Sequence, residues 1–135
     1  MAEKKDFYEI VEKICLSDSR YKADAYEFLM QGLYFTQDKI KRKGHLTGGE
    51  LLQGLREFAI KQYGPMAKNV FNHWGIHETQ DFGHIVFNMI EEKLLAKTET
   101  DSLNDFKDVY DFDTVFANVL YDSLKDICYD NEKNH

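Results

Sequence analysis

The sequence predicts a single, mainly α domain, residues 1–135, of about six helices with one short β-hairpin in its C-terminal half. Apolar residues recur at helical spacing along most of the chain. Pro65 is the single proline, so long stretches are free to be helical. Hydrophobic residues make up 43% of the chain, and the length of 135 residues is typical of one domain that can bury a core.

The first two helices are predicted at residues 6–16 and 22–41. Each carries an apolar stripe at the i, i+3, i+4, i+7, i+8 spacing of an amphipathic helix. The stripes consist of Phe7, Ile10, Val11, Ile14 and Cys15 in the first helix and of Ala25, Phe28, Leu29, Gly32 and Leu33 in the second. The second stripe fades in a short run of basic residues that precedes Gly44.

Residues 48–63 and 66–73 are predicted to form the third and fourth helices. Thr47 and Glu50 match a capping box, in which each side chain binds the backbone amide of the other residue. Gly64 is expected to end the third helix in a left-handed conformation, and Pro65 suits the first turn of the next one. Gly75 is the predicted stop of the fourth helix.

The C-terminal half begins with a fifth helix at residues 80–93, for which Thr79 is the predicted N-cap. The segments 94–98 and 106–112, on either side of an acidic stretch, predict a two-stranded hairpin. A last helix is predicted at 114–127. Six residues from three consecutive helices are expected to share one core: Phe58, Trp74, Phe82, Ile85, Val86 and Met89.

Three helices followed by a hairpin, from Thr47 to Phe112, give the element order of a winged-helix module. The fifth helix would then enter a DNA groove, where exposed Arg, Lys, Asn or Gln side chains are expected. Its exposed positions carry His84, Asn88, Glu91, Glu92 and Lys93. The proposed wing, 100–105, is acidic where a wing should be basic. A winged-helix-like topology is thus compatible with the sequence, whereas DNA binding through it is not favoured.

The net charge of −7 disfavours phosphate backbones and anionic membranes as partners. One basic run forms a candidate polyanion patch, and it consists of Lys39, Lys41, Arg42 and Lys43. A second interpretation is that these residues are solvated cations that complement the dipole at a helix C-terminus. The sequence therefore allows nucleic acid as a partner without favouring it, and predicts no membrane partner.

His73, His77 and His84 invite a metal interpretation, because an i, i+4 pair of histidines on one helix can bind zinc. Gly75 is expected to break the helix between the first two, and no cysteine pair supports them. The tripeptide Asp81–Gly83 matches the metal-binding motif of protein kinases but lacks its companion motifs. The sequence accordingly predicts no catalytic residue, no metal ligand and no cofactor.

Cys15 and Cys128 both lie on predicted apolar helix faces, which favours structural thiols over a disulfide or a nucleophile. The N-terminal residues lead into an amphipathic segment instead of the apolar core of a signal peptide. No stretch approaches the ~20 apolar residues that a membrane span needs. These observations predict a cytoplasmic protein with reduced thiols.

Motifs across more than half of the chain resemble those of a small family of uncharacterised bacterial proteins, of the planctomycete and verrucomicrobial type. They occur at His45–Leu52, Tyr63–Ala67, Trp74–Ile76, Asp81–Gly83, Ile85–Asn88 and Asp105–Phe112. The resemblance implies no activity, cofactor or catalytic residue.

The sequence thus favours a non-enzymatic adaptor or regulatory protein that binds another macromolecule, with an unidentified protein as its partner. A nucleic-acid-associated or ribosome-associated factor that uses the basic run is the first alternative. A small enzyme or metal protein is the second. The sequence does not define an oligomeric state.

Overall fold

The computed structural model describes residues 2–42, 44–96 and 102–116. Between residues 2 and 96 the described segments contain five α-helices: α1 (Ala2–Ser17), α2 (Ala23–Ile40), α3 (Gly48–Tyr63), α4 (Ala67–Trp74) and α5 (Thr79–Glu91). Short 3-10 turns occupy Gly64–Met66 and Leu103–Phe106, and residues 112–116 are helical. The mainly helical class and the first five predicted helices are confirmed. Most of the sixth, 114–127, lies outside the described residues.

An aromatic cluster centred on Phe28 of α2 forms the middle of the core. Its ring centroid lies 5.4 Å from that of Phe58, 5.3 Å from Phe71 and 5.5 Å from Trp74, so α2, α3 and α4 meet at one side chain. The six predicted core residues are all buried, with exposed fractions between 0% for Phe82 and 7% for Phe58. The apolar stripes therefore predicted the core correctly.

Helices α2 and α3 cross closely because glycines lie at their contact. A Cβ atom on Gly54 would lie 1.7 Å from Oγ1 of Thr36, and one on Gly32 would lie 2.4 Å from Cδ2 of Leu55. The Thr36 hydroxyl is buried in this contact and donates to the carbonyl of Gly32 at 2.7 Å. The crossing thus excludes residues larger than glycine at positions 32 and 54, and the buried Thr36 hydroxyl has a hydrogen-bond partner.

The start of α3 is capped as the sequence predicts. The Glu50 amide donates to Oγ1 of Thr47 at 3.0 Å, and the Thr47 amide donates to the Glu50 carboxylate at 2.9 Å. Gly75 ends α4 as predicted, and it does so in a left-handed conformation with φ of 90°. Gly64 has positive φ but a ψ of −132°, outside the left-handed helical region, because it also opens the 3-10 turn that contains Pro65.

Thr79 is not the N-cap of α5. Glu78 occupies that position, and the carboxylate of Asp81 accepts a hydrogen bond from the Glu78 amide at 3.1 Å. The Thr79 side chain is buried instead: its hydroxyl donates to the Phe106 carbonyl at 2.6 Å and accepts from the Val109 amide at 3.2 Å. Thr79 therefore attaches the segment after α5 to the helix.

The predicted hairpin and the winged-helix topology are wrong for the part of the chain that the structure describes, which contains no strand. Residues 103–106 form a 3-10 turn, and Asp108 has a φ of 51°, which is incompatible with a strand. Phe106 is buried against Gly83 of α5. A Cβ atom added to Gly83 would lie 2.8 Å from the Cβ atom of Phe106. The aromatic residues from 106 to 112 thus attach a loop to the helical core and do not alternate between the two faces of a sheet.

The close crossing predicts different outcomes for two glycines of α3. Gly54→Ala should lower the free energy of unfolding by about 1–3 kcal/mol, because the added methyl group overlaps Thr36. Gly49→Ala is the matched control: its Cβ would meet only Oγ1 of Thr47, at 4.0 Å. That variant should leave stability unchanged or raise it by up to about 1 kcal/mol. Urea unfolding of both proteins measures the difference, and equal midpoints would contradict the crossing.

Candidate functional site

An apolar cleft of about 300 Å³ opens between α2, the start of α3 and the C-terminal half of α5. Most of its walls are hydrocarbon, and the apolar residues that line it are Leu33, Leu46, Leu51, Val86, Ile90, Leu95, Ala96 and Phe106. Leu46 is 8% exposed and Phe106 is 1% exposed, so both lie deep in the wall. Leu33, Ile90 and Leu95 are half-buried and form its accessible edge.

Each wall of the cleft is positioned by a feature of the local sequence. Leu33 continues the apolar stripe of α2, and Val86 and Ile90 continue that of α5. The loop between α2 and α3 is held across the cleft by the Gln37 amide, which donates to the Gly44 carbonyl at 3.0 Å. The capping box at Thr47 fixes where that loop becomes helix. The cleft is therefore framed by hydrogen-bonded elements.

Two polar side chains in the walls of the cleft already have hydrogen-bond partners. Gln37 is bound to the loop, and the Thr47 hydroxyl accepts from the Glu50 amide. His45 is the only ionisable side chain among the lining residues, and it is exposed. Acid–base or nucleophilic catalysis requires two or more converging reactive groups. The described residues of the cleft contain no such converging set of groups.

The basic run follows Gln37, a lining residue of the cleft, along the chain, and carboxylates of α3 offset part of its charge. Lys39 pairs with Glu57, and Arg42 pairs with Glu50 at 2.6 Å. The hydrogen bond from the Thr47 amide lowers the pKa of the Glu50 carboxyl most, and the hydrogen bond from Arg42 lowers it further. Lys41 is exposed, while Lys43 lies outside the described residues. Two cations of the predicted patch of Lys39, Lys41, Arg42 and Lys43, namely Lys39 and Arg42, are thus offset by carboxylates of α3.

The three histidines of the metal hypothesis do not form a metal site. Gly75 separates His73, in the last turn of α4, from His77, whose ring Nδ1 lies 3.0 Å from Oδ1 of Asn72. His84 lies on α5. No group of three or more His, Cys, Asp or Glu side chains in the described segments could hold a metal ion.

The Asp81–Gly83 tripeptide has a structural role. The Asp81 carboxylate accepts hydrogen bonds from the His77 amide at 2.8 Å and from the Tyr21 hydroxyl at 2.6 Å. Burial raises the pKa of Tyr21 above its usual value, and the hydrogen bond to Asp81 is the second largest cause. Phe82 is fully buried. The motif therefore joins the start of α5 to the α1–α2 loop instead of binding a metal.

A polar network around Asp18 also joins that loop to α5. Its carboxylate accepts from Arg20 at 2.7 and 2.9 Å and from the Asn88 amide at 3.0 Å, and Arg20 holds the pKa of Asp18 below its usual range. The same amide donates to the Tyr26 hydroxyl at 3.0 Å. The sequence patterns assign no partner to Asp18. Its partners lie up to 70 positions away, so no local pattern pointed to them.

Cys15 is half-buried, not fully buried, and its thiol lies 3.7 Å from the Tyr21 carbonyl. Burial raises the pKa of this thiol, which leaves less of the reactive thiolate. The prediction of a structural thiol is compatible with this setting. Cys128 lies outside the described residues.

Comparison with known proteins gives no relative: the chain matches no protein-family model, no curated protein and no solved structure. The resemblance to the bacterial family therefore stays a prediction. No helix in the described part of the chain is long and apolar enough to cross a membrane.

The separation of the histidines predicts that the purified protein binds little zinc. Elemental analysis of protein prepared without added metal should show well under one equivalent, because a protein zinc site needs three or four converging ligands. Stoichiometric zinc that is lost in a His73→Ala, His77→Ala double variant would contradict this prediction.

The partial neutralisation of the basic run predicts weak binding of polyanions. Mixed-sequence RNA and duplex DNA should bind no more tightly than ~10 μM at ~150 mM salt, because few cations are left to displace counterions. A salt titration followed by fluorescence anisotropy measures this. Submicromolar affinity, abolished by changing Lys41, Arg42 and Lys43 to Glu, would instead favour a nucleic-acid-binding function.

Proposed function

We propose that the chain is a non-enzymatic adaptor or regulatory protein that binds an apolar segment of a partner protein in the cleft between α2, α3 and α5. The observation that carries this proposal is the composition of the cleft. Eight of its lining residues are apolar, and its polar side chains Gln37 and Thr47 are already bonded. Concave apolar surfaces with few free polar groups are typical of binding sites.

The two alternatives have less support. An enzyme needs reactive groups that converge, and the described walls of the cleft contain one ionisable side chain, His45. A nucleic-acid-binding factor needs a continuous positive surface, and Glu57 and Glu50 offset two cations of the basic run. The proposal keeps the cytoplasmic location that the sequence predicts.

A matched pair of variants tests the proposal. Leu33→Glu with Ile90→Glu places two charges at the half-buried edge of the cleft. Leu16→Glu, on α1, alters a leucine that is 85% exposed and does not line the cleft. Both proteins should retain their helical circular dichroism, because each changed side chain has access to water.

The tagged wild-type protein and both variants are then used for capture from cells of origin, and protein and nucleic acid are both identified. A protein partner should be retained by the wild type and by Leu16→Glu and lost from the cleft variant. Retention of the same partner by all three would contradict the cleft as the binding site. Recovery of nucleic acid without a protein would contradict the proposed function.

A further inference from the structure

Both helices that flank the cleft end next to a lysine with a left-handed backbone. Lys41 has a φ of 57° at the end of α2, and Lys93 has a φ of 63° just after α5. Residues with a Cβ atom pay a steric cost in this region, and glycine is the usual residue there. α4 ends in the same hydrogen-bonded turn and uses Gly75. The sequence thus keeps a cation at two positions where glycine would be less strained.

The two lysines follow the segments that form the cleft. Gln37 and Ile90 line the cleft. Lys41 follows Gln37 by one helical turn, and Lys93 follows Ile90 by three residues. Both lysines are exposed, and no ion pair within the described residues involves either one. Arg42, by contrast, is paired with Glu50. Each flanking helix therefore carries an available positive charge at its end.

The helix dipole alone does not account for the position of Lys41, whereas the last turn of α5 contains no other basic residue beside Lys93. A cation anywhere in the last turn complements the partial negative charge of a helix C-terminus. In α2 this role is already filled by Lys39, whose backbone is helical. The left-handed Lys41 adds a second cation at the same end, at a conformational cost. A ligand at the cleft that contacts the Lys41 ammonium group would explain why lysine is kept at this strained position.

From these observations we infer that the occupant of the cleft is an amphipathic helix of a partner protein, with apolar residues that enter the cleft and carboxylates that meet Lys41 and Lys93. This inference rests on the proposed function. Helices bind apolar grooves through residues at i, i+3, i+4 and i+7, and flanking charges set their orientation and association rate. Since the chain as a whole carries a charge of −7, these local cations would direct an acidic helix to this surface.

Three synthetic peptides of about 15 residues, long enough to form a helix, serve as probes. All have Leu at i, i+3, i+4 and i+7, and their polar positions are Glu, Gln or Lys. Each is titrated into the full chain and followed by calorimetry and by the methyl resonances of Leu33 and Ile90. The Glu peptide should bind about 10-fold tighter than the Lys peptide at low salt, and the difference should shrink as salt is added.

Replacing the lysines with glycine separates charge from stability. The Lys41→Gly, Lys93→Gly protein should unfold at the same or a higher urea concentration, because glycine fits the left-handed positions, yet it should bind the Glu peptide several-fold more weakly. Asp108→Gly is the control. Asp108 also has a positive φ, of 51°, but does not line the cleft. Its replacement should leave the affinity for the Glu peptide unchanged.

The outcomes distinguish this inference from the function on which it rests. Equal affinity of the three peptides, with shifts at Leu33 and Ile90, would overturn the acidic partner and leave the cleft as a docking site. Tightest binding of the Lys peptide, or unchanged affinity in the double glycine variant, would also overturn it. If no peptide shifts the methyl resonances of the cleft, both the inference and the proposed function are wrong.

Discussion

The close crossing of α2 and α3 is the constraint on which the rest of the structure depends. Gly32 and Gly54 let the two backbones approach until any added Cβ would overlap a neighbour. Phe28 of α2 packs against the rings of Phe58 on α3 and Phe71 on α4, and burial of these rings supplies much of the driving force for folding. Because α2 and α3 are fixed there, the C-terminal half of α2 and the start of α3 form two sides of the cleft.

The third side of the cleft depends on how α5 is held. Hydrogen bonds from the Asn88 amide to Asp18 and from the Tyr21 hydroxyl to Asp81 attach α5 to the α1–α2 loop. On its other face, Gly83 admits Phe106, whose ring also contacts Gly48 of α3. These contacts hold Val86 and Ile90 opposite Leu33. Among the described residues, these contacts hold the backbone around the cleft, and Leu33, Ile90 and Leu95 at its edge are only half-buried.

The sequence predicted those features that depend on neighbours along the chain. The apolar stripe of α5 and the capping box at Thr47 need only local spacing, and both are confirmed. The hairpin was wrong because Phe106 and Phe112 resemble strand residues, although Phe106 packs on Gly83 of α5 and Phe112 packs on Phe71 of α4 and Phe82 of α5. The cleft was not predicted, since its residues come from five separate segments. The left-handed lysines were also missed, because lysine gives no local signal of positive φ.

The most direct test of this account is a set of intermolecular methyl NOEs between the full chain and the acidic amphipathic peptide. The account predicts NOEs from the leucine methyls of the peptide to Leu33, Val86 and Ile90, with no change in the NOEs between α2 and α3, because the cleft is formed before binding. Peptide NOEs confined to other surfaces would contradict it. So would a free protein in which these methyls already contact residues 117–135, because the cleft would then be occupied by the chain itself.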